Sequence, residues 1–128
     1  MPYKSTFEVA SIEFESSGSE RLLQIMCKDG TAIRFYHRDD CCESVWLEKP
    51  DNLPAVGETI TAIIEKGSKS EDTHSDRVED WYFYTIKTNK GFYDLTFRGS
   101  SNGYYSTAVE IACINNDNFY VCPLVVEG

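Results

Sequence analysis

The chain has 128 residues, enough for one domain with its own core and no need of disulfides or metal to hold it. Twelve basic residues against 21 acidic ones leave a formal charge of −9 at pH 7. That excludes the usual nucleic-acid and membrane-surface binders, which neutralise phosphate with Lys and Arg; it leaves room for a protein partner.

In chain order the dominant signal is alternation with turn punctuation, which means strands. Residues 6–14, "TFEVASIEF", place Ala10, Ile12 and Phe14 on one face, and "ESSGSE" after them is a loop. "RLLQIMCK" (21–28) and "TAIRFYH" (31–37) flank Asp29-Gly30, a two-residue hairpin signal because such a turn needs positive φ at its centre. "CESVWLE" (42–48) reads as a third strand. "KPDNLPAVGE" (49–58), with two prolines, is a crossover with at most one short helical turn. "TITAIIEK" (59–66) is another strand. Residues 67–80, "GSKSEDTHSDRVED", hold one apolar residue, Val78, and are expected to be an exposed polar loop.

The second half repeats the layout without repeating the residues. "WYFYTIKT" (81–88) leads through Asn89-Lys90-Gly91 into "FYDLTFRG" (92–99), then "SSNGYYS" (100–106), "TAVEIACI" (107–114) and "NFYVCPLVV" (118–126). The expected fold of this single domain, residues 1–128, is all-β or β-rich with at most one short helix. It is antiparallel, with two three-strand meanders forming a curled sheet, a sandwich or a partly open barrel. No run of 18 apolar residues exists, and "MPYKSTFEVA" lacks the apolar stretch of a signal peptide, so a cytoplasmic protein is expected. Cys27, Cys113 and Cys122 sit in apolar strand-like runs, as reduced, buried cysteines do.

With these elements placed, the chain resembles a small domain family of unknown function found in bacteriophage and bacterial proteins, many of them prophage-encoded. The resemblance spans roughly residues 8–112. It rests on "YHRDDCCESVWLE" (36–48), "NLPAVGETI" (52–60) and "WYFYTIKTNKGFYDLTFRGSSNGYYSTAVEI" (81–111). The pattern His-x-x-Asp-Cys-Cys-Glu-Ser-Val is met by His37, Asp40, Cys41, Cys42, Glu43, Ser44 and Val45. Gly-x-Ser-Asn-Gly-Tyr-Tyr-Ser is met by Gly99, Ser101, Asn102, Gly103, Tyr104, Tyr105 and Ser106. The chain departs from the family at 49–57, where relatives carry a longer and more acidic segment, and in its short glycine-interrupted N-terminal turn. The resemblance implies a setting and a fold, and no activity.

The stretch at 37–43 invites chemistry, because His37, Asp39, Asp40, Cys41, Cys42 and Glu43 can all ligate a metal. In an extended strand same-face neighbours lie about 6.6 Å apart, whereas zinc donors must come within about 4 Å of one another. The segment gathers a ligand set only by folding back at Arg38-Asp39-Asp40. A thiol nucleophile is disfavoured in another way: Asp39 and Glu43 raise a thiol pKa, so a cation from Arg34, Arg38 or Arg98 would be needed. A vicinal Cys41–Cys42 disulfide closes a strained ring and is disfavoured in a reducing cytosol. The plainer reading caps a turn with Asp39 and Asp40, gives His37 a buried hydrogen bond and pairs Glu43 with an arginine. Asn102-Gly103 similarly suits a two-residue hairpin turn.

If the two polar connections meet, His37, Asp40, Cys41, Cys42, Glu43, Asn102, Tyr104 and Tyr105 form one binding surface, with tyrosines supplying rigid amphipathic contacts. "WYFY" reads as core and cross-strand aromatic pairs rather than a base-stacking platform. No phosphate loop, GxSxG, HExxH or EF-hand pattern is present. The reading is therefore a binding module for a protein partner or a second copy of itself, with no catalytic residue, metal, cofactor, nucleic acid or membrane assigned. The alternative is a small enzyme or ligand binder using the 37–43 cluster.

Overall fold

A computed structural model describes residues 6–14, 21–38, 43–72, 77–103 and 106–128. It has ten strands: β1 (Phe7–Phe14), β2 (Arg21–Cys27), β3 (Ala32–Tyr36), β4 (Ser44–Leu47), β5 (Thr59–Asp72), β6 (Val78–Thr88), β7 (Phe92–Ser101), β8 (Glu110–Asn115), β9 (Asn118–Val121) and β10 (Val125–Glu127). None of the described residues is helical, and no helix is long and apolar enough to cross a membrane. Nine strands form one open sheet in the order β4-β7-β6-β5-β1-β2-β3-β8-β9, and β10 lies parallel to β5.

The sheet folds over on itself at β1. Phe7 and Glu8 pair with β5, whereas residues from Val9 onward pair with β2, and a bulge between Val9 and Ser11 turns the strand between its two partners. The two ends of the sheet thereby come face to face. Phe35 on β3 stacks on Phe97 of β7 at 5.4 Å and meets Tyr84 of β6 edge-on at 5.5 Å. The alternating residues Leu23, Ile25, Ile33, Ile60, Ile63, Ile86 and Leu95 fill the space around them. Cys27, Cys113 and Cys122 are buried in this core outside any disulfide. Hydrogen bonding to Cys122 and burial hold the Cys113 thiol well above its ordinary pKa, so it stays protonated.

Two three-strand meanders are present, β1-β2-β3 and β5-β6-β7, but each passes its next strand to the other. After β3 the chain crosses to pair with β7 as β4, and after β7 it crosses back to pair with β3 as β8. The strand expected at 42–48, described from Glu43 onward, therefore does not extend the 21–37 hairpin, and Asn102-Gly103 does not close a hairpin. Asp29-Gly30 does turn β2 into β3, with positive φ at Gly30 alone. Asn116-Asp117, both at positive φ (+50° and +64°), turn β8 into β9.

The expected loop at 67–80 is mostly strand. Residues 67–72 belong to β5 and 78–80 to β6, while 73–76 lie outside the described residues. Residues 66–72 are exposed, as their composition implied. They carry no apolar face because this arm projects past the core, and pairing with β6 supplies what burial does not. Its outermost described pair, Asp72 with Val78, still keeps strand register.

Glu58, buried at the start of β5, anchors the end of the molecule where β6 turns into β7. Its Oε1 accepts from Thr88 Oγ1 and from the Tyr93 hydroxyl, each at 2.6 Å, and its Oε2 accepts from the Ala55 amide at 2.6 Å. The bonds from Thr88, then Tyr93, then Ala55 hold its carboxyl below the ordinary carboxylate range. The folded chain thus binds this proton less readily than the unfolded chain. The stabilisation is complete above the unfolded value of about 4.3 and is lost as pH falls through the lower folded value. Urea midpoints of the native chain should fall below that pH. Glu58→Gln should lower the midpoint at pH 7 and narrow the gap between pH 7 and pH 3; an unchanged gap would show that Glu58 is not a titrating anchor.

Candidate functional site: the crossed connections

The exchange of strands brings the two polar connections to one end of the molecule. Tyr36, the last residue of β3, pairs with Glu110, the first of β8; Ser44, the first of β4, pairs with Ser100 near the end of β7. The chain thus leaves one half of the sheet at Tyr36 and enters the other at Ser44, and it returns between Ser101 and Glu110.

His37 ties the two together. It is 3% exposed, its Nδ1 donates to the Ala108 carbonyl at 2.8 Å, and its Nε2 lies 2.8 Å from Glu43 Oε2. A carbonyl oxygen only accepts, so Nδ1 carries a proton. The contact on the other side needs a second proton, held either by Nε2 as an imidazolium or by the Glu43 carboxyl. In both states each ring nitrogen is committed, and neither has a lone pair left to activate a thiol. Glu43 pairs with His37.

The other cations proposed for a thiolate are engaged as well. Arg34 donates to Gln24 at 2.9 Å, and Arg38 lies 3.8 Å from Glu110. Arg98 holds Glu79 at 2.8 Å and Glu48 at 3.3 Å. Asp40, Cys41, Cys42, Tyr104 and Tyr105 lie outside the described residues, as do Asp39 and His74. Among the described residues no three His, Cys, Asp or Glu side chains cluster as metal ligands. Asn102 is exposed, and Gly103, at φ +87°, donates its amide to Ser101 Oγ at 3.1 Å.

The returning connection is seated by residues that the motif reading passed over. Thr107, 2% exposed, donates to Asp80 and accepts from the Tyr82 hydroxyl at 2.7 Å. Asp80 also accepts from Ser70 on β5. Burial pushes the Tyr82 hydroxyl above its ordinary pKa and keeps it a donor. Thr107 lies on Gly99, where an added Cβ would stand 2.4 Å from the threonine Cβ. An isolated glycine inside a strand pattern is the mark of such a close approach, and Gly99 was the one available signal. Val78, Asp80, Tyr82, Ser101, Gly103, Ser106 and Thr107 line a cavity of about 350 Å³ at this place.

On the opposite face of the same strands, the residue pairs Trp46–Arg98, Arg98–Trp81 and Trp81–Lys69 form one row across β4, β7, β6 and β5. The Arg98 guanidinium lies 5.6 Å from the Trp46 ring centroid and 5.0 Å from that of Trp81, and the Lys69 ammonium lies 4.9 Å from Trp81. This alternation of cation and ring stiffens the strands that carry the crossing.

The geometry defines a small open-sheet β domain whose halves exchange strands. Residues 3–111 match DUF7448, a domain of unknown function, and the chain belongs to that family. No curated protein and no solved structure matches it.

Removing either side chain breaks the buried pair. His37→Ala or Glu43→Ala should each cost about 3–5 kcal/mol in urea unfolding. The double variant should fall short of the sum by about 0.5–3 kcal/mol, whereas strict additivity would mean that the two side chains act independently. Gly99→Ala should cost about 1–3 kcal/mol through the Thr107 clash, and Gly99→Ala with Thr107→Gly should recover part of it.

Proposed function

We propose that this domain is a non-enzymatic, acidic binding module of phage or prophage type. It engages a protein partner, host-directed in that setting, or a second copy of itself, through the end of the molecule where the connections cross. His37, Asp40, Cys41, Cys42, Glu43, Asn102, Tyr104 and Tyr105 belong to those connections. The observation that carries this reading is the use of His37: the side chain best suited to chemistry is buried, with both nitrogens tied to the flanks of the two connections. It acts as a strut, and the exposed residues around it, Arg38, Ser44, Asn102 and Ser106, are left as a display surface. Such a surface recognises shape and hydrogen-bonding pattern, and a rigid support lowers the entropic cost of binding.

A photo-crosslinking residue at Asn102, compared with the same residue at Lys90 in the β6–β7 turn at the far end, tests this. A specific protein adduct formed from position 102 and absent from position 90 supports the reading. Adducts from both positions alike, or from neither, would remove it. Light scattering distinguishes a self-partner by mass. Rapid alkylation of a native thiol at neutral pH would instead favour the alternative, a small enzyme using Cys41 or Cys42 of the 37–43 cluster.

A further inference from the structure

A second surface begins at the crossing and ends at the edge of the sheet. β9 closes the strand order, and its one neighbour in the sheet is β8. One side of its backbone is therefore left without a strand partner among the described residues. Edge strands are commonly blunted by charge or proline. This one, Asn118-Phe119-Tyr120-Val121, has neither, and it exposes Phe119 by 61% and Val121 by 86%. It also lies beyond the family-matched residues 3–111.

Beside that edge the outer face of the sheet is hollowed. Ala112 on β8 pairs with Val121 on one side and with Arg34 on the other. Its small side chain floors a groove of about 380 Å³, walled by Tyr36, Arg38 and Glu110 at the crossing and by Phe119 and Val121 at the edge. The Arg34 guanidinium lies 5.7 Å from the Phe119 ring centroid. Arg38, 3.8 Å from Glu110, has an 80% exposed side chain, so it can reach a second acidic group. Arg38 in the groove and Arg34 behind its Phe119 wall thus set two cations against the one carboxylate of Glu110, in a chain whose formal charge is −9. Charges are screened over about 8 Å at physiological ionic strength, so the local cations outweigh the total.

We propose that the β9 edge and its groove take an extended segment of a partner protein as a further strand. An acidic side chain of that segment reaches Arg38, and an apolar or aromatic one covers Phe119 and Val121. Main-chain hydrogen bonds along the edge supply affinity, and every second side chain of the segment enters the groove to supply selectivity. The proposal gives a partner chemistry to the protein-binding reading above and rests on it. The two remain separable, because the crosslink at Asn102 reports the crossing and not the edge.

A display library of random dodecapeptides, selected on the native chain, tests the proposal. The expected peptides alternate apolar with polar residues and carry an acidic residue within the alternation. Their affinity should drop about tenfold or more with Arg38→Glu, as where a charge-paired contact is reversed. Phe119→Ser should weaken them similarly, and Lys90→Glu, with the same charge change at the far end, should leave them unchanged. Both residues at the groove are exposed, so neither substitution threatens the fold. Four results would overturn the proposal: basic or non-alternating peptides; equal weakening by Arg38→Glu and Lys90→Glu; preferential binding of an oligo(dT) probe; or a dimer in light scattering that Phe119→Ser dissociates, which would give the edge to a second copy.

Discussion

The contact of Phe35 with Phe97 holds one end of an open sheet against the other, and the remaining architecture follows from it. Nine strands in a row have two faces to cover and too few residues to cover both with anything else. Folding over at β1 buries one face of each half in the other, and the aromatic trio of Phe35, Tyr84 and Phe97 sits where the halves meet. Once they are opposed, the chain can pass between them at either end. It does so twice at the same end, and that is what sets two polar connections side by side.

The strands were legible because alternation is a local property. Ile33 and Phe35 point inward and Arg34 outward whatever their neighbours, so the positions of β1, β2, β3, β5 and β7 could be read from spacing alone. Partnership is not local. The pattern of Val45 and Leu47 fits the edge of β3 as well as the edge of β7, and nothing in residues 42–48 distinguishes them. The selection is made by Thr107 against Gly99 and by His37 against Ala108, contacts between residues far apart in sequence. The polar arm of β5 was missed for a different reason: beyond the core a strand needs no apolar face, so its alternation disappears while its pairing persists.

At the candidate site the sequence presented an abundance of reactive residue types, and geometry decides what reactivity remains. His37 and Glu43, read from the sequence as candidates of a binding surface, form a buried pair, and His37 also bonds to Ala108 in the returning connection. Asp80, Tyr82 and Thr107 share that task without forming any motif, being spread over two segments. The row of Trp46, Arg98, Trp81 and Lys69 was equally hidden, since it runs across four strands and its members are separated along the chain.

The exchange of β4 and β8 also dictates how such a chain must fold. Neither meander contains all the strands of its own half of the sheet: the β5-β6-β7 half takes β4, and the β1-β2-β3 half takes β8 and, beyond it, β9. A fragment ending after β4 leaves that strand without its partner β7, and a fragment starting at β5 has a β8 with no β3 to join. The domain is thus topologically indivisible, two halves closed by mutual donation. Loop-closure entropy must be met before either donated strand gains its hydrogen bonds, which places the chain among slow, highly cooperative folders of high contact order.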